Sequence, residues 1–334
     1  MKAKIALITG GFTGEAEVSL KSAAFVEQKL DTLRYDVYKI IFTIHEWYYV
    51  DDNGIKHEVD RRDFTLHLND HLIRFDLAFI MLHGSPGEDG LLQGYLDMVG
   101  LRYTSCNTLT SALTMNKAYT KALLQGIEEV YLAKSVCVSP GNRLEDEKHI
   151  KAGLKLPYFV KPNGGGSSIG MSKVKTKEEL SEAIDRAFQT EQADNRVLVE
   201  EFVEGREFSV GIYQTREGLR VLPITEVITT REFFDFEAKY LPGLTQEITP
   251  ADLTDEQVGR IGQLIKLIYQ QLNCKGLVRI DFFIEQGTGH FYFIEINTIP
   301  GQTEQSFIPQ QVRAAGMKET DFYSELIEGA LQRG

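Results

Sequence analysis

Two observations place the chain in the α/β class. Over residues 1–106, short apolar β-rich runs alternate with glycine turns and a helical period, the grammar of βαβ units around an open parallel sheet. Beyond residue 196, longer strand-like segments are grouped around one helix, which predicts an α+β C-terminal part. A length of 334 residues, 43% hydrophobic and 25% charged, suits two or three globular domains and excludes disorder, collagen and coiled coil.

The elements follow in order. Residues 4–8 are an apolar run ended by Gly10-Gly11, and residues 16–30 carry helical spacing, so the start reads as strand, glycine turn, helix. Residues 35–42 and 76–82 are further strands. The second breaks at His83-Gly84 and precedes a short helix with Leu92, Leu96 and Val99, stopped by Gly100. A sheet of this kind places ligands at the carboxyl ends of its strands. His67 and His71 stand at a spacing zinc ligands use on a helix, but without a third ligand nearby they read as ordinary polar residues.

Residues 111–124 predict a helix that opens a new unit, and residues 138–153 a long loop. Strands are expected over 157–162 and 171–174, separated by a glycine-serine loop, and then a helix over 176–188 capped by Thr176. Further strands are expected over 196–202, 207–213, 219–227, 277–285 and 290–296, with a helix at 255–272. Residues 228–250 have no period and are long for a connection, which suggests a lid.

The chain has 36 Lys and Arg against 48 Asp and Glu, a net charge of −12. Without a basic tail, this argues against nucleic acid or an anionic membrane as partner. Cys106, Cys137 and Cys274 are odd in number and far apart, so neither disulfides nor a thiolate metal site is expected. No apolar run has the length of a membrane span, and the opening MKAKIALITGG is too short for a signal peptide, so the expected location is the cytoplasm.

The segment GLVRIDFFIEQGTGHFYFIEINTIPG, residues 276–301, is the most informative. Alternate residues of a strand share a face, so Arg279 and Asp281 point one way, as do Glu295 and Asn297 on the next strand. A turn at 286–289 pairs the two as a hairpin and gathers two carboxylates, an amide oxygen and a guanidinium in an apolar sheet. Oxygen ligands of this kind suit Mg²⁺. In VKPNGGGSSIG, residues 160–170, three glycines expose backbone N–H groups to phosphate oxygens and Lys161 adds a charge, although neither GxxxxGK[ST] nor GxGxxG is present. The loop at 82–90 is polar and glycine-rich at a strand end. The turn at 10–19 resembles a phosphate turn, but Glu15 at its helix start favours a substrate ammonium.

Together and in this order, these segments resemble the D-alanine-D-alanine ligases of the ATP-grasp superfamily, nearly from end to end. HGSPGEDGLLQGYL at 83–96 and VRIDFF with FIEINTIPGQTEQS at 278–306 carry most of the likeness. The resemblance implies a three-domain ATP-grasp architecture: an N-terminal substrate-binding domain at 1–106, a central domain at 107–196, and a catalytic domain at 197–334 with a mobile loop at 228–250. It also implies ATP as co-substrate, two Mg²⁺ or Mn²⁺ ions, D-alanine as substrate, and a cytoplasmic homodimer that makes a peptidoglycan precursor.

Carried over by motif, Glu15 holds the ammonium of the first D-alanine in a set with Ser167 and Tyr240, and His83 lies near its carboxylate. Lys117, Lys161 and Ser168 serve the phosphates, Glu200, Glu201, Phe202 and Val203 the adenine, and Glu207 the ribose. Lys239 reaches the γ-phosphate. Asp281, Glu295 and Asn297 hold the metals, Arg279 and the Gly301 N–H face the oxyanion, and Ser306 binds the second D-alanine.

The chain departs from the family's pattern at Gly164-Gly165-Gly166, where a charged triplet is common, at Ala16, and at Phe307, where leucine is usual. Tyr240 favours an amine over D-lactate, since depsipeptide-forming relatives carry phenylalanine there. The alternatives are a D-alanine-D-serine or D-alanine-D-lactate ligase, a non-catalytic nucleotide-binding protein, and a dinucleotide-dependent oxidoreductase, the last weakened by Glu15.

Overall fold

Strand β1 (Ala3–Gly10) is the middle one of the three parallel strands of the first sheet, its Ile5–Ile8 stretch buried on both faces, which explains why it reads as one continuous apolar run. The computed structural model describes residues 2–166, 169–190, 195–229 and 245–333. Strand β1 pairs in parallel with β2 (Tyr35–Phe42), through the crossover helix α1 (Ala16–Lys29), and with β7 (Leu77–Ile80). This is the expected βαβ core.

Residues 47–73 extend it as an antiparallel meander of β3 (Trp47–Val50), β4 (Lys56–Asp60), β5 (Thr65–Leu68) and β6 (His71–Ile73). These strands are short and half-exposed, so their alternation was too weak to read. His67 and His71 fall on the two arms of the β5–β6 hairpin, both exposed, and the helical zinc spacing dissolves.

Helix α2 (Leu91–Val99) ends at Gly100 as expected. The helix expected over 111–124 is two, α3 (Thr108–Met115) and α4 (Lys117–Leu124). Asn116 breaks them with extended backbone and caps the second, accepting from the Tyr119 N–H at 3.0 Å. Strand β8 (Val130–Leu132) follows.

The central sheet runs β11-β10-β12-β9, from β9 (Ser135–Val138), β10 (Tyr158–Pro162), β11 (Ser172–Val174) and β12 (Val197–Glu201). The expected loop at 138–153 is mostly helix α5 (Arg143–Gly153), whose near-uniform charge hid its period, with Ile150 as its deep apolar anchor. Helix α6 (Leu180–Phe188) starts later than expected, and Glu179, not Thr176, stands at its N-cap.

The third sheet is β13 (Gly205–Thr215), β14 (Gly218–Val221), β15 (Thr225–Thr229), β16 (Thr245–Ile248), β17 (Leu277–Glu285) and β18 (Phe291–Asn297), joined in parallel by β8 at its edge. The strand expected at 219–227 is split around Pro223 into β14 and β15. Both ends of the expected lid are arms of a β15–β16 hairpin, and residues 230–244 lie outside the described residues. Helix α7 (Asp255–Gln271) carries a capping box of Thr254 and Gln257 and buries Ile261, Leu264, Ile265 and Ile268.

Strand β12 pairs with both β9 and β10 up to Glu201, across the division expected at residue 196, and β8 pairs with β18 of the third sheet. After α8 (Phe307–Ala314), the last helix α9 (Glu319–Leu331) returns to the first core, where Tyr323 meets Phe79 at 6.1 Å.

Gly276 sits where these parts meet. It has φ +62°, a Cβ there would lie 1.9 Å from the Thr104 carbonyl oxygen, and its own carbonyl accepts from the Tyr269 hydroxyl at 2.8 Å. Gly276→Ala is expected to cost about 3 kcal/mol through strain and overpacking. Urea unfolding checks this, and a midpoint within error of wild type would refute the clash.

Candidate active site

The expected hairpin forms as β17–β18, with a register that the turn alone would not give. Asp281 stands opposite Glu295 and Arg279 opposite Asn297. Val278, Ile280 and Phe282 enter the core, while Arg279, Asp281 and Phe283 face a cleft. Between Asp281 and Phe282 the register slips, so Phe282 opposes Phe293 and Ile294 is the extra residue. The bulge lets Phe293 and Ile296 both enter the core while Glu295 faces the cleft.

Arg279 grips Asp281 with two hydrogen bonds, Nε to Oδ1 at 2.9 Å and Nη2 to Oδ2 at 2.8 Å. The Ser209 hydroxyl donates to Oδ1 at 2.6 Å and the Asn297 amide to Oδ2 at 3.2 Å. Burial would make the guanidinium easier to deprotonate, but Asp281, Glu295 and Glu88 hold it above its ordinary range.

The cleft lies between the central and third sheets. Of the predicted nucleotide residues, Lys117, Lys161, Glu200, Glu201, Val203 and Glu207 line it, together with Arg279, Asp281 and Glu295. Phe202 does not. Its ring packs against Phe159, with the Lys173 ammonium 4.0 Å from its centroid.

The glycine loop is tied to α4. Asn163 accepts from the Lys117 N–H through its backbone oxygen and from the Ala118 N–H through its side chain, and the Lys117 ammonium donates to the Gly165 carbonyl at 2.6 Å. Glu200 is shared by two lysines, Lys161 at 2.5 Å and Lys121. Burial alone would raise the Glu200 carboxyl, but Lys161 and Lys121 outweigh it and hold the group near 2. Lys121 was absent from the sequence-based site, although it stands one turn beyond Lys117 on the same face of α4.

A second cavity opens beside the first and shares Arg279, Glu295, Gly166 and Phe307 with it. It brings together the predicted Glu15, His83, Asn297, Gly301 and Ser306. The Glu15 carboxylate lies against Gly84, where a Cβ would come within 2.8 Å of its Oε2. Glu88, overlooked as a site residue although it lies in the loop read at 82–90, accepts from the Gly84 N–H at 2.8 Å and the Ile299 N–H at 3.3 Å. Burial, reinforced by Glu15, pushes its carboxyl up to about 8. Ser306 stands at the N-cap of α8, its hydroxyl accepting from the Thr303 N–H at 3.0 Å.

His83 lines this cavity with both ring nitrogens already engaged. The Ile299 carbonyl can only accept, so the ring donates to it from Nδ1 at 2.9 Å, and Nε2 is left to accept from the Ser22 hydroxyl at 3.1 Å. That hydroxyl in turn accepts from the Gln302 N–H at 3.2 Å. A ring with both nitrogens engaged and no spare proton joins the first sheet to the 299–302 turn. Ser167, Ser168, Lys239 and Tyr240 lie outside the described residues.

Comparison with known proteins agrees with this geometry. Residues 4–106 match the family described as D-ala D-ala ligase N-terminus and residues 131–328 the one described as D-ala D-ala ligase C-terminus. The chain belongs to the D-alanine–D-alanine ligase family. It is 44% identical over 328 residues to the D-alanine–D-alanine ligase of Phocaeicola vulgatus, covering 98% of this chain and 99% of that one. It is 41% identical to that of Flavobacterium johnsoniae, with coverage of 98% and 99%. Among solved structures it resembles the VanG D-Ala:D-Ser ligase of Enterococcus faecalis, with a TM-score of 0.86, 33% identity and coverage of 98% and 99%. It also resembles a D-alanine–D-alanine ligase of Bacillus anthracis complexed with ATP, with a TM-score of 0.77, 27% identity and coverage of 99% and 98%. The ATP-grasp fold expected of the family is thus the fold of this chain.

Burial lowers the His83 ring to about 4 from its ordinary 6.5. The folded state binds this proton less readily than the unfolded chain does. Stability from the neutral ring is therefore present above pH 6.5 and lost as pH falls toward 4, to a limit of about 3 kcal/mol. Chemical unfolding of wild type and His83→Gln across that window should show the wild type losing more stability. Parallel pH profiles would count against the assignment.

Proposed function

We propose that the protein joins two D-alanine molecules into D-alanyl-D-alanine at the expense of ATP. The observation that carries this reading is that a cleft lined by Lys117, Lys161, Glu200 and Glu207 and a cavity lined by Glu15, Gly301 and Ser306 meet at Arg279 and Glu295. Glu15 is suited to the ammonium of the first D-alanine. A carboxylate is a poor electrophile, so its oxygen first takes the γ-phosphoryl group, giving an acyl phosphate and ADP. Lys117 and Lys161 offset charge on the phosphates. The amine of the second D-alanine then attacks the acyl carbon, phosphate leaves, and the nitrogen loses its proton. Arg279 and the Gly301 N–H are suited to the oxyanion, and Ser306 with the N-terminus of α8 to the second carboxylate.

Asp281, Glu295 and Asn297 fit Mg²⁺. Two carboxylates opposed across one ladder repel unless a cation lies beside them, a part taken now by Arg279. Among the described residues no three His, Cys, Asp or Glu side chains cluster for a metal, so the set needs the Asn297 amide oxygen and phosphate oxygens to complete it. Bound there, two divalent ions would neutralise charge on the transferring phosphoryl group.

No helix among the described residues is long and apolar enough to cross a membrane. The family resemblance supports a cytoplasmic homodimer supplying peptidoglycan synthesis. D-Serine as second substrate is the other reading, favoured by the likeness to the VanG enzyme.

Purified protein with ATP, Mg²⁺ and D-alanine should release ADP and phosphate in step with dipeptide, and EDTA should abolish the reaction. ADP release that ignores D-alanine would defeat the proposal, and preferential use of D-serine in a mixture of the two would favour the second reading. Asp281→Asn is expected to lower kcat by at least about 10²-fold, as loss of a preorganised charge does. Tyr240→Phe should shift the product from dipeptide toward depsipeptide when D-lactate competes, and an unchanged partition would remove Tyr240 from substrate choice.

A further inference from the structure

Glu200 and Lys161 face the cleft from neighbouring strands. Lys161 of β10 pairs with Leu198 of β12, so Glu200, two residues on, is its diagonal neighbour on the same face. The two carboxylate oxygens are divided. Oε2 takes Lys161 at 2.5 Å and Oε1 takes Lys121, which arrives from α4 on the other side. Lys121 also donates to the Ala133 carbonyl at 2.6 Å, and Ala133 lines the cleft. Lys121, Glu200 and Lys161 are 7%, 8% and 9% exposed, so two buried cations share one buried anion.

We propose that Lys121 is a positioning residue of the nucleotide site, which keeps Glu200 neutralised when Lys161 leaves that carboxylate to meet a phosphate. With nucleotide absent, Lys161 rests on Glu200. A phosphate group competes for the Lys161 ammonium, and removing that ammonium from a buried carboxylate is costly unless a second cation stays behind. Lys121 is that cation. The Ala133 carbonyl fixes its ammonium, so it has no need to follow the phosphate. The excess positive charge of the triad is thus available to the nucleotide without stranding an anion. Glu200 is ionised at every working pH, its carboxyl being held far below neutrality, so protonation offers it no escape.

The inference rests on reading the cleft as the ATP site, and its test separates the two. The experiment is steady-state kinetics on the full chain with saturating D-alanine and Mg²⁺, varying ATP. Lys121→Met should raise KM for ATP at least tenfold and change kcat by less than about twofold. In a Glu200→Gln background, where no anion is left to strand, the same Lys121→Met change should move KM for ATP by less than about twofold. Lys121→Arg should recover most of the loss. Equal KM ratios in the two backgrounds, or a fall in kcat with KM unchanged, would overturn the proposal. If Lys121→Met does not unfold cooperatively, Lys121→Gln, which keeps a donor for the Ala133 carbonyl but carries no charge, is expected to show the same rise in KM for ATP, and a wild-type KM in that variant overturns the proposal as well. Wild-type protein that neither binds ATP nor releases ADP would sink the functional reading instead.

Discussion

The bidentate bond between Arg279 and Asp281 is the contact on which the site depends. It lies on one strand, two residues apart, with Asp281 facing the cleft and Arg279 lining both the cleft and the neighbouring cavity. Without the guanidinium, Asp281 and Glu295 would oppose each other across the ladder uncompensated. With it, the carboxylates are tolerated inside a sheet whose other face is Val278, Ile280 and Phe282 packed against α7. The Ile294 bulge completes the arrangement by turning Glu295 toward the cleft while Phe293 and Ile296 stay in the core.

Around this contact the protein distributes charge locally. A chain of net charge −12 lines its cleft with Lys117 and Lys161 and sets Lys121 behind them. Two of these lysines come from one face of α4, and that helix exists as a separate unit because Asn116 interrupts the run before it. Asn163 then fastens the glycine loop to the helix start, so loop and lysines are positioned by the same hydrogen bonds. In the second cavity, His83 serves as a buried tie between Ser22 and Ile299, and Glu88 anchors the same turn through the Ile299 N–H.

Strongly periodic segments were legible from the sequence. Strands β1, β2, β7 and β17 and helices α1 and α7 follow from apolar runs or a sustained helical period, whereas the register that sets Asp281 opposite Glu295 depends on the bulge at Ile294. The meander at 47–73 and helix α5 were not, because short half-exposed strands and a helix charged on every side leave little hydrophobic period. Lys161 and Asp281 stand in local patterns that carry their own chemistry, whereas Glu200 and Glu207 were reached through the family resemblance alone.

What the sequence determined by itself, therefore, was the local alternation that puts Arg279 and Asp281 on one face, the glycine turns, and the family to which the motifs belong. Tertiary structure alone decided the rest. It brought α9 back onto the first sheet, moved β8 into the third, met both oxygens of Glu200 with lysines from different elements, and directed both nitrogens of His83 inward. Such pairings join residues tens or hundreds of positions apart. Periodicity records which way a side chain points, and only packing determines what it meets there.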